Sequence, residues 1–465
     1  MSMTRNNLPG LYGRLRELLT GESLKARALR GSVLSMATFG GGMFLRLASN
    51  LILTRILFPE AFGLMAIVQV FMVGLQMFSD IGLNSGIVQS KRGDDPDFLD
   101  TAWTMQVARG VLLGLLTLAL AAPAAAFYEQ DMLAQLLPVM GLTAVAQAFI
   151  SVRVVTAGRH LLLARVTALE LSSQFVGIVA MIILALIFQS VWSLVVGGLL
   201  GMIYKAVLSH VYFPGPRNHF RIERAAFWEL FDFGKYIFLS SICGFLINNG
   251  DRAILGKFVS LTELAVYNIA YFFATMPLML SMRLVNQVMM PLYRERPTEV
   301  SHRNRGDIAR ARGLVTGAMV AMALVLAAIG DGLIRLLYTP EYHMAGPILV
   351  FLTLAVLPTV IITSYSTLLM ARGNSRGFFI ILLVTALMQT GFLYFGVRTY
   401  GVVGAILAQP LAAILVYPLI LVMLRPYKGW DLRHDAGFAA LAALWTAAVF
   451  WFKPDTLAAL LTLLP

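Results

Sequence analysis

Charge is what this sequence has least of. Charged residues make up 13% of the chain, against roughly 25% in an average soluble domain. Hydrophobic residues make up 58% and the mean hydropathy is +0.78. No stretch is long and polar enough to form a soluble domain, so the chain is read as living in lipid. Cysteine occurs once, at Cys243 inside an apolar run, which excludes a disulfide framework or a cysteine metal site. Catalytic motifs are also missing. His160, His210, His219, His302, His343 and His434 all fall in or beside predicted connections, with no H-E-x-x-H, G-x-S-x-G or P-loop pattern.

Apolar runs recur at lengths near the roughly 20 residues that a spanning helix needs. They predict helices over 33–55, 61–88, 102–126, 134–156, 166–188, 191–212, 232–256, 262–290, 308–336, 344–370, 377–396 and 401–424. The net charge of +12 is gathered in every second connection: the N-terminal segment, "KRGDDPD", "RHLLLAR", "PGPRNHFRIER", "RERPTEVSHRNRGDIARAR", "ARGNSR" and "RPYKGWDLR". By the positive-inside rule those connections and the N-terminus face the cytoplasm. The alternate connections are a few residues long, too short for the acceptor loop of a glycosyltransferase or polymerase. The chain is therefore read as a non-enzyme, with no cofactor, and as no partner of nucleic acid.

Residues 1–31 carry Arg5, Arg14, Arg16, Lys25, Arg27 and Arg30, too charged for a cleavable signal. They read either as a helix lying on anionic membrane lipids or as a basic tail. Beyond residue 424, 436–452 is a marginal span and "TLAALLTLLP" is too short to cross alone. One or two extra helices are expected there.

The phrase "LTRILFPEAFGLMAI" from Leu53 returns as "LGKFVSLTELAVYNI" from Leu255, 202 residues later. Asn84 matches Asn286, "RGVLLG" from Arg109 matches "RGLVTG" from Arg312, and "SVWSLVVG" from Ser190 matches "GVVGAILA" from Gly401. An even number of helices separates each pair, so the repeats are parallel, related by an axis along the membrane normal. The expected fold is an all-α polytopic membrane protein of two parallel six-helix bundles, at 32–213 and 232–424, with a cytoplasmic linker at 214–231 and the extra helices within 425–465. Rocking of such bundles would expose a central cleft to each side in turn. The repeated phrase is the turn between the first two helices of each bundle. Pro59 and Gly63 suit a tight turn, while in the second copy Ser260 or Thr262 caps the next helix.

"LTRILFPEAFGLMAIVQVF", "FSDIGLNSGIVQ" and "FGKYIFLSSICGFLINNGDRAILGKFVSLTELAVYNIAY" resemble the Wzx-type oligosaccharide and polysaccharide flippases of the multidrug/oligosaccharidyl-lipid/polysaccharide superfamily, which is MATE-like, over roughly residues 30 to 425. The resemblance implies a cargo of undecaprenyl-diphosphate-linked oligosaccharide, turned from the inner to the outer leaflet of a bacterial inner membrane for exopolysaccharide, capsule or lipopolysaccharide synthesis. It also implies polysaccharide polymerase or export proteins as partners.

Intramembrane charge gives an independent test, because an ionisable residue at bilayer depth usually faces a cavity. Arg46 lies near the middle of the first span, with Asn50 on the same face at i+4. On the seventh span Ser241, Phe245, Asn248 and Arg252 form one stripe, and the 202-residue offset sets Asn248 against Arg46 and Arg252 against Asn50. Arg283 and Asn286 on the eighth span and Arg109 on the third complete the candidate substrate-binding set. Guanidinium grips phosphate oxygens with paired hydrogen bonds. The alternative is that these arginines pair with acids or helix ends. Asp251, about 100° around the helix from Arg252, is expected to serve another partner or the outer surface. Asp80, on a stripe with Gln69, Gln76 and Asn84, and Glu170, near Ser173 and Gln174, are candidates for proton or sodium coupling, or for neutralising a nearby base.

Two other functions remain open: an ion-coupled drug or metabolite exporter of the same superfamily, whose cavity should be acidic or aromatic, and a flippase for the peptidoglycan precursor. Gly82 with Gly86, and Gly197 with Gly201, have the small-xxx-small spacing of packed helices.

Overall fold

The computed structural model describes residues 24–234 and 237–464. The basic segment expected over 1–31 lies outside the described residues as far as position 23. The elements run α1 (Leu24–Leu53), α2 (Pro59–Phe78), α3 (Leu83–Gln89), α4 (Pro96–Tyr128), α5 (Met132–Ala148), α6 (Arg153–Arg159), α7 (Leu163–Phe188), α8 (Trp192–Tyr212), α9 (Arg224–Gly234) and α10 (Ile237–Phe258). Then come α11 (Leu261–Ala274), α12 (Met276–Leu284), a π-helical turn (Val285–Met289), α13 (Met290–Glu295), α14 (His302–Leu337), α15 (Ala345–Ala355), α16 (Leu357–Ala371), α17 (Ser375–Leu424), α18 (Leu432–Phe452) and α19 (Pro454–Leu461). Among the described residues no strand is present, as the helical lengths of the apolar runs predict.

Nine described helices are long and apolar enough to cross a membrane, or ten if α5 and α6, bent by 55°, form one span. Neither α1 nor α10 is among the nine. They are the first and seventh spans of the sequence reading, and they carry Arg46 with Asn50 and Asn248 with Arg252. In α10 the polar run Asn248, Asn249, Asp251 and Arg252 interrupts the apolar sequence, and it is part of the candidate site. Two expected spans, 377–396 and 401–424, run on as α17 across a bend at Gly401 (φ 55°, ψ −133°), a backbone conformation open to glycine at little cost. The extra helix is α18; α19, with 8 residues, is shorter than a span.

The chain packs as two compact units. One takes residues 24–56, Ile81–Ala119 and 136–234; the other takes Leu57–Asp80, Leu120–Gln135 and 237–464. In the first unit Leu83, Ile87, Phe98, Trp103 and Val152 form a core that Ala226 and Leu230 of α9 join. The linker read as a loop thus contains a helix, because an i, i+4 apolar pair inside "RAAFWEL" finds a core to enter. Gly197 and Gly201 of α8 pack α7 as expected: a Cβ at Gly201 would lie 2.8 Å from Gly177 Cα, and one at Gly197 2.6 Å from Met181 N. Gly82 does something else. The span expected over 61–88 breaks at 79–82, and Gly82 (φ 64°) makes the left-handed turn into α3.

In the second unit the two copies of the repeated phrase meet. Thr262 donates its hydroxyl to Glu60 Oε1 at 2.7 Å, across 202 residues. Gly63 lies inside α2, not in the turn, and a Cβ there would lie 2.0 Å from the Leu261 carbonyl oxygen. Close crossing of α2 and α11, rather than a tight turn, is what glycine serves. Pro59 opens α2, where its missing N–H costs nothing. Ser260 caps α11 in a reciprocal box with Glu263, so of the two expected caps Ser260 is the one used.

Candidate functional site

The stretch "INNGDR" over 247–252 concentrates the polar chemistry of α10. Arg252 donates from Nη2 to the Asn248 carbonyl (2.9 Å) and to Asn249 Oδ1 (3.1 Å). Its guanidinium lies 4.8 Å from the ring centre of Tyr271 on α11, and Tyr271 donates its hydroxyl to the same Asn248 carbonyl at 3.3 Å. The side chain is 18% exposed, yet Nε has no hydrogen-bond partner among the described residues. A buried donor left so costs about 1–3 kcal/mol. An acceptor that reached it would recover that cost.

Asp251 is the residue that sequence reasoning placed least well. It is 5% exposed, its Oδ2 accepts from the Tyr267 hydroxyl at 2.8 Å, and its Oδ1 stands 3.8 Å from Arg252 Nε. Another partner was expected and Tyr267 is that partner, but the side chain turns inward and also faces Arg252. Long side chains converge even when their Cβ vectors diverge. The separation exceeds a hydrogen bond, so the pair attracts without closing. Asn249, Tyr267 and Tyr271 were also missed; only the wide helical spacing across α10 and α11 links them, and no local motif signals it.

Asn248 is exposed and donates Nδ2 to the Gly244 carbonyl at 2.7 Å. In the same unit, Arg283 closes α12 and Asn286 sits in the π-helical turn, both exposed. Such single π turns recur at functional positions, because the extra residue redirects the side chains around it. In the first unit Arg46 is exposed on α1, with Asn50 half-buried four residues on, and Arg109 is half-buried on α4. The structure thus brings Asn248 and Arg252 into one bonded group and keeps Arg46 and Asn50 on one helix face.

The two acidic candidates differ in surroundings. Asp80 falls in the break between α2 and α3, half-buried. The stripe expected from Gln69 to Asn84 is therefore interrupted, because a helical stripe needs continuous helix. Glu170 on α7 accepts from Lys205 Nζ of α8 at 2.7 Å. Lys205 was not singled out in the sequence.

The connections at the basic end of the first unit are held by ion pairs. Arg92 reaches Asp95 at 2.5 Å and Glu223 at 2.6 Å, Arg221 reaches Asp97 at 2.5 Å, and Arg159 approaches Asp94 at 3.4 Å, which also shares a hydrogen bond with His160 Nε2 at 2.8 Å. Hydrogen bonding first to Glu223 and then to Asp95 raises the Arg92 pKa, and the bond from Arg92 holds Asp95 below its ordinary value. Composition showed these loops as basic; their acids engage much of that charge. Arg159 adds bonds from Nη1 to the carbonyls of Ile87 (2.9 Å) and Ser90 (2.7 Å), tying α6 to the end of α3. Among the described residues no group of three or more His, Cys, Asp or Glu is placed to hold a metal ion.

The chain is 24% identical over 372 residues to the succinoglycan biosynthesis transport protein ExoT of Rhizobium meliloti (strain 1021), a match covering 78% of this chain and 73% of ExoT. It is 22% identical over 307 residues to the teichuronic acid biosynthesis protein TuaB of Bacillus subtilis (strain 168), covering 64% of this chain and 62% of TuaB. Among solved structures it is similar to the lipid II flippase MurJ in an inward closed conformation (TM-score 0.70, 13% identity, 94% of this chain and 97% of MurJ). It is also similar to an inward-facing multidrug resistance MATE transporter of the MOP superfamily (TM-score 0.60, 16% identity, 83% and 95%). Those likenesses establish the fold, all-helical, as the apolar runs predict. The profile of the polysaccharide biosynthesis protein family matches residues 52–347, well over half of the sequence, and with those relatives and that fold this multi-pass membrane chain belongs to that family.

Proposed function

We propose that the protein is an alternating-access flippase for an oligosaccharide linked to undecaprenyl diphosphate, turned from the inner to the outer leaflet of a bacterial inner membrane with the N-terminus cytoplasmic. The observation that carries the reading is Arg252: a guanidinium pinned on α10 by Tyr271 and the Asn248 carbonyl, with its Nε donor unpaired among the described residues. A diphosphate oxygen is a fitting acceptor for it. Arg46, Arg109 and Arg283, with Asn50, Asn248 and Asn286, are the further candidate contacts. Family membership supports a role in polysaccharide synthesis, and the basic connections support the orientation. Moving two negative charges outward releases on the order of 4 to 5 kcal/mol per 100 mV, so the potential alone can drive export, with Asp80 and Glu170 as candidates for ion coupling.

A second reading, export of an organic cation, is favoured by one observation: the Asp251 carboxylate flanked by Tyr267 and Tyr271. Leaflet transfer of a labelled undecaprenyl-diphosphate oligosaccharide in proteoliposomes separates the two. Native transfer that falls at least tenfold in Arg252→Ala and Arg46→Ala, with equal reconstitution, is expected. No transfer of several sugars, together with ion-driven efflux of an organic cation, would overturn the reading in favour of the exporter. Transfer restricted to the peptidoglycan precursor would relocate the cargo to that lipid.

A further inference from the structure

The second unit holds a buried polar cluster that the substrate reading does not use. At the end that carries the basic connections, Arg312 of α14 is 1% exposed. It donates from Nη2 to the Tyr293 hydroxyl on α13 (3.0 Å) and to the Gly429 carbonyl (2.9 Å). Its guanidinium lies 4.3 Å from the ring centre of Tyr365 on α16. Tyr365 in turn donates its hydroxyl to Asp435 on α18, 2.7 Å from Oδ1. Asp435 Oδ2 accepts from Tyr417 of α17 at 2.5 Å, and Tyr417 accepts from Trp430 Nε1 at 3.0 Å. His434 Nδ1 lies 2.8 Å from Asp435 Oδ1, with the imidazole 4% exposed.

The tautomer follows from these partners. A carboxylate only accepts, so Nδ1 must carry the hydrogen and, in the neutral ring, Nε2 keeps a lone pair. That atom is buried without a partner among the described residues, beside the edge-on Phe438 ring at 4.9 Å. With a neutral imidazole the cluster balances one guanidinium against one carboxylate. A proton on Nε2 adds an uncompensated positive charge to a buried site, which is costly unless the surroundings rearrange. Arg312 is the group that can respond, since its Nε is also unpartnered. Tyr293, which it grips, follows Asn286 of the π-helical turn by seven residues, two helical turns along the same broken helix. Trp430, 45% exposed, and half-buried Tyr417 lead from the surface loop to Asp435.

We propose that His434 is a proton-binding site, loaded at Nε2, whose charge acts through Asp435, Tyr365, Arg312 and Tyr293 on the broken helix bearing Arg283 and Asn286. The link to transport rests on the flippase reading; the proton site does not. The facing groups are Asp431 and Asp435 on its own helix end, Arg312, Tyr293, Tyr365 and Tyr417.

The test has two arms. Nitrogen-15 histidine spectra of the full chain in lipid nanodiscs, recorded from about pH 8 down to about pH 5 with the resonance assigned by its loss in His434→Gln or His434→Asn, should show Nε2 gaining its proton. Tyr365→Phe, which removes a donor from Asp435, should move the midpoint. A ring that keeps one protonation state across that range overturns the proton site, whatever the transfer assay shows. In proteoliposomes, the native transfer rate should change by up to about tenfold per pH unit on one limb, the change in imidazole protonation ratio. That slope should vanish in His434→Gln. Equal slopes in the two chains overturn the coupling. Titration without transfer at any pH supports the proton site and counts against the flippase reading.

Discussion

Substituting alanine for Gly63 tests whether the two copies of the repeated phrase cross as closely as the structure requires. The added Cβ would lie 2.0 Å from the Leu261 carbonyl oxygen, 2.7 Å from its carbon and 2.9 Å from its Cα. All three are backbone atoms, so no side chain can swing aside, and α2 and α11 must part by roughly an ångström. Overpacking of this kind costs about 1–3 kcal/mol. Separation would also stretch the bond from Thr262 to Glu60, now 2.7 Å. The control is Gly332→Ala, in helix α14 of the same unit, where a new Cβ meets nothing within 4 Å. Both changes gain about 1 kcal/mol of helix propensity, so the difference between them isolates the clash. Reversible unfolding in mixed micelles should place Gly63→Ala about 1–3 kcal/mol below Gly332→Ala. Equal stability would refute the close crossing.

Two more outcomes follow from named contacts. Tyr267→Phe removes the donor to Asp251 Oδ2 and should destabilise the chain by about 1–3 kcal/mol, with a larger loss of transfer than the same change at Tyr394, an exposed tyrosine of α17, read by the same unfolding and proteoliposome assays. The bond from Arg92 holds Asp95 below its ordinary value of 3.8, so its stabilisation is present above that pH and lost as pH falls through the lower folded value. Melting temperature should therefore fall less steeply below about pH 4 in Asp95→Asn than in the native chain, and parallel curves would remove the pair from the account.

The sequence showed most clearly what is local. Helix positions followed from run length, and a cap from "SLTE", which offered Ser260 or Thr262; the structure uses Ser260. The breaks were less visible. Gly82, Thr275 and the turn at Val285–Met289 interrupt spans whose apolar periodicity continues across them, because hydrophobicity reports burial in lipid and not the hydrogen-bond register. In the candidate site Arg252 and Asn248 were legible from their helical spacing, while Tyr271 over the guanidinium was not.

By itself the sequence determined that this chain is a helical membrane protein with an internal repeat and a basic end, because bilayer thickness and leaflet charge act on each segment separately. Tertiary structure alone decided which groups meet: Tyr267 with Asp251 across 16 residues, Lys205 with Glu170 across 35, Tyr365 with Asp435 across 70, and Glu60 with Thr262 across 202. A buried polar atom must find a partner wherever packing offers one, and packing is a property of helices already assembled.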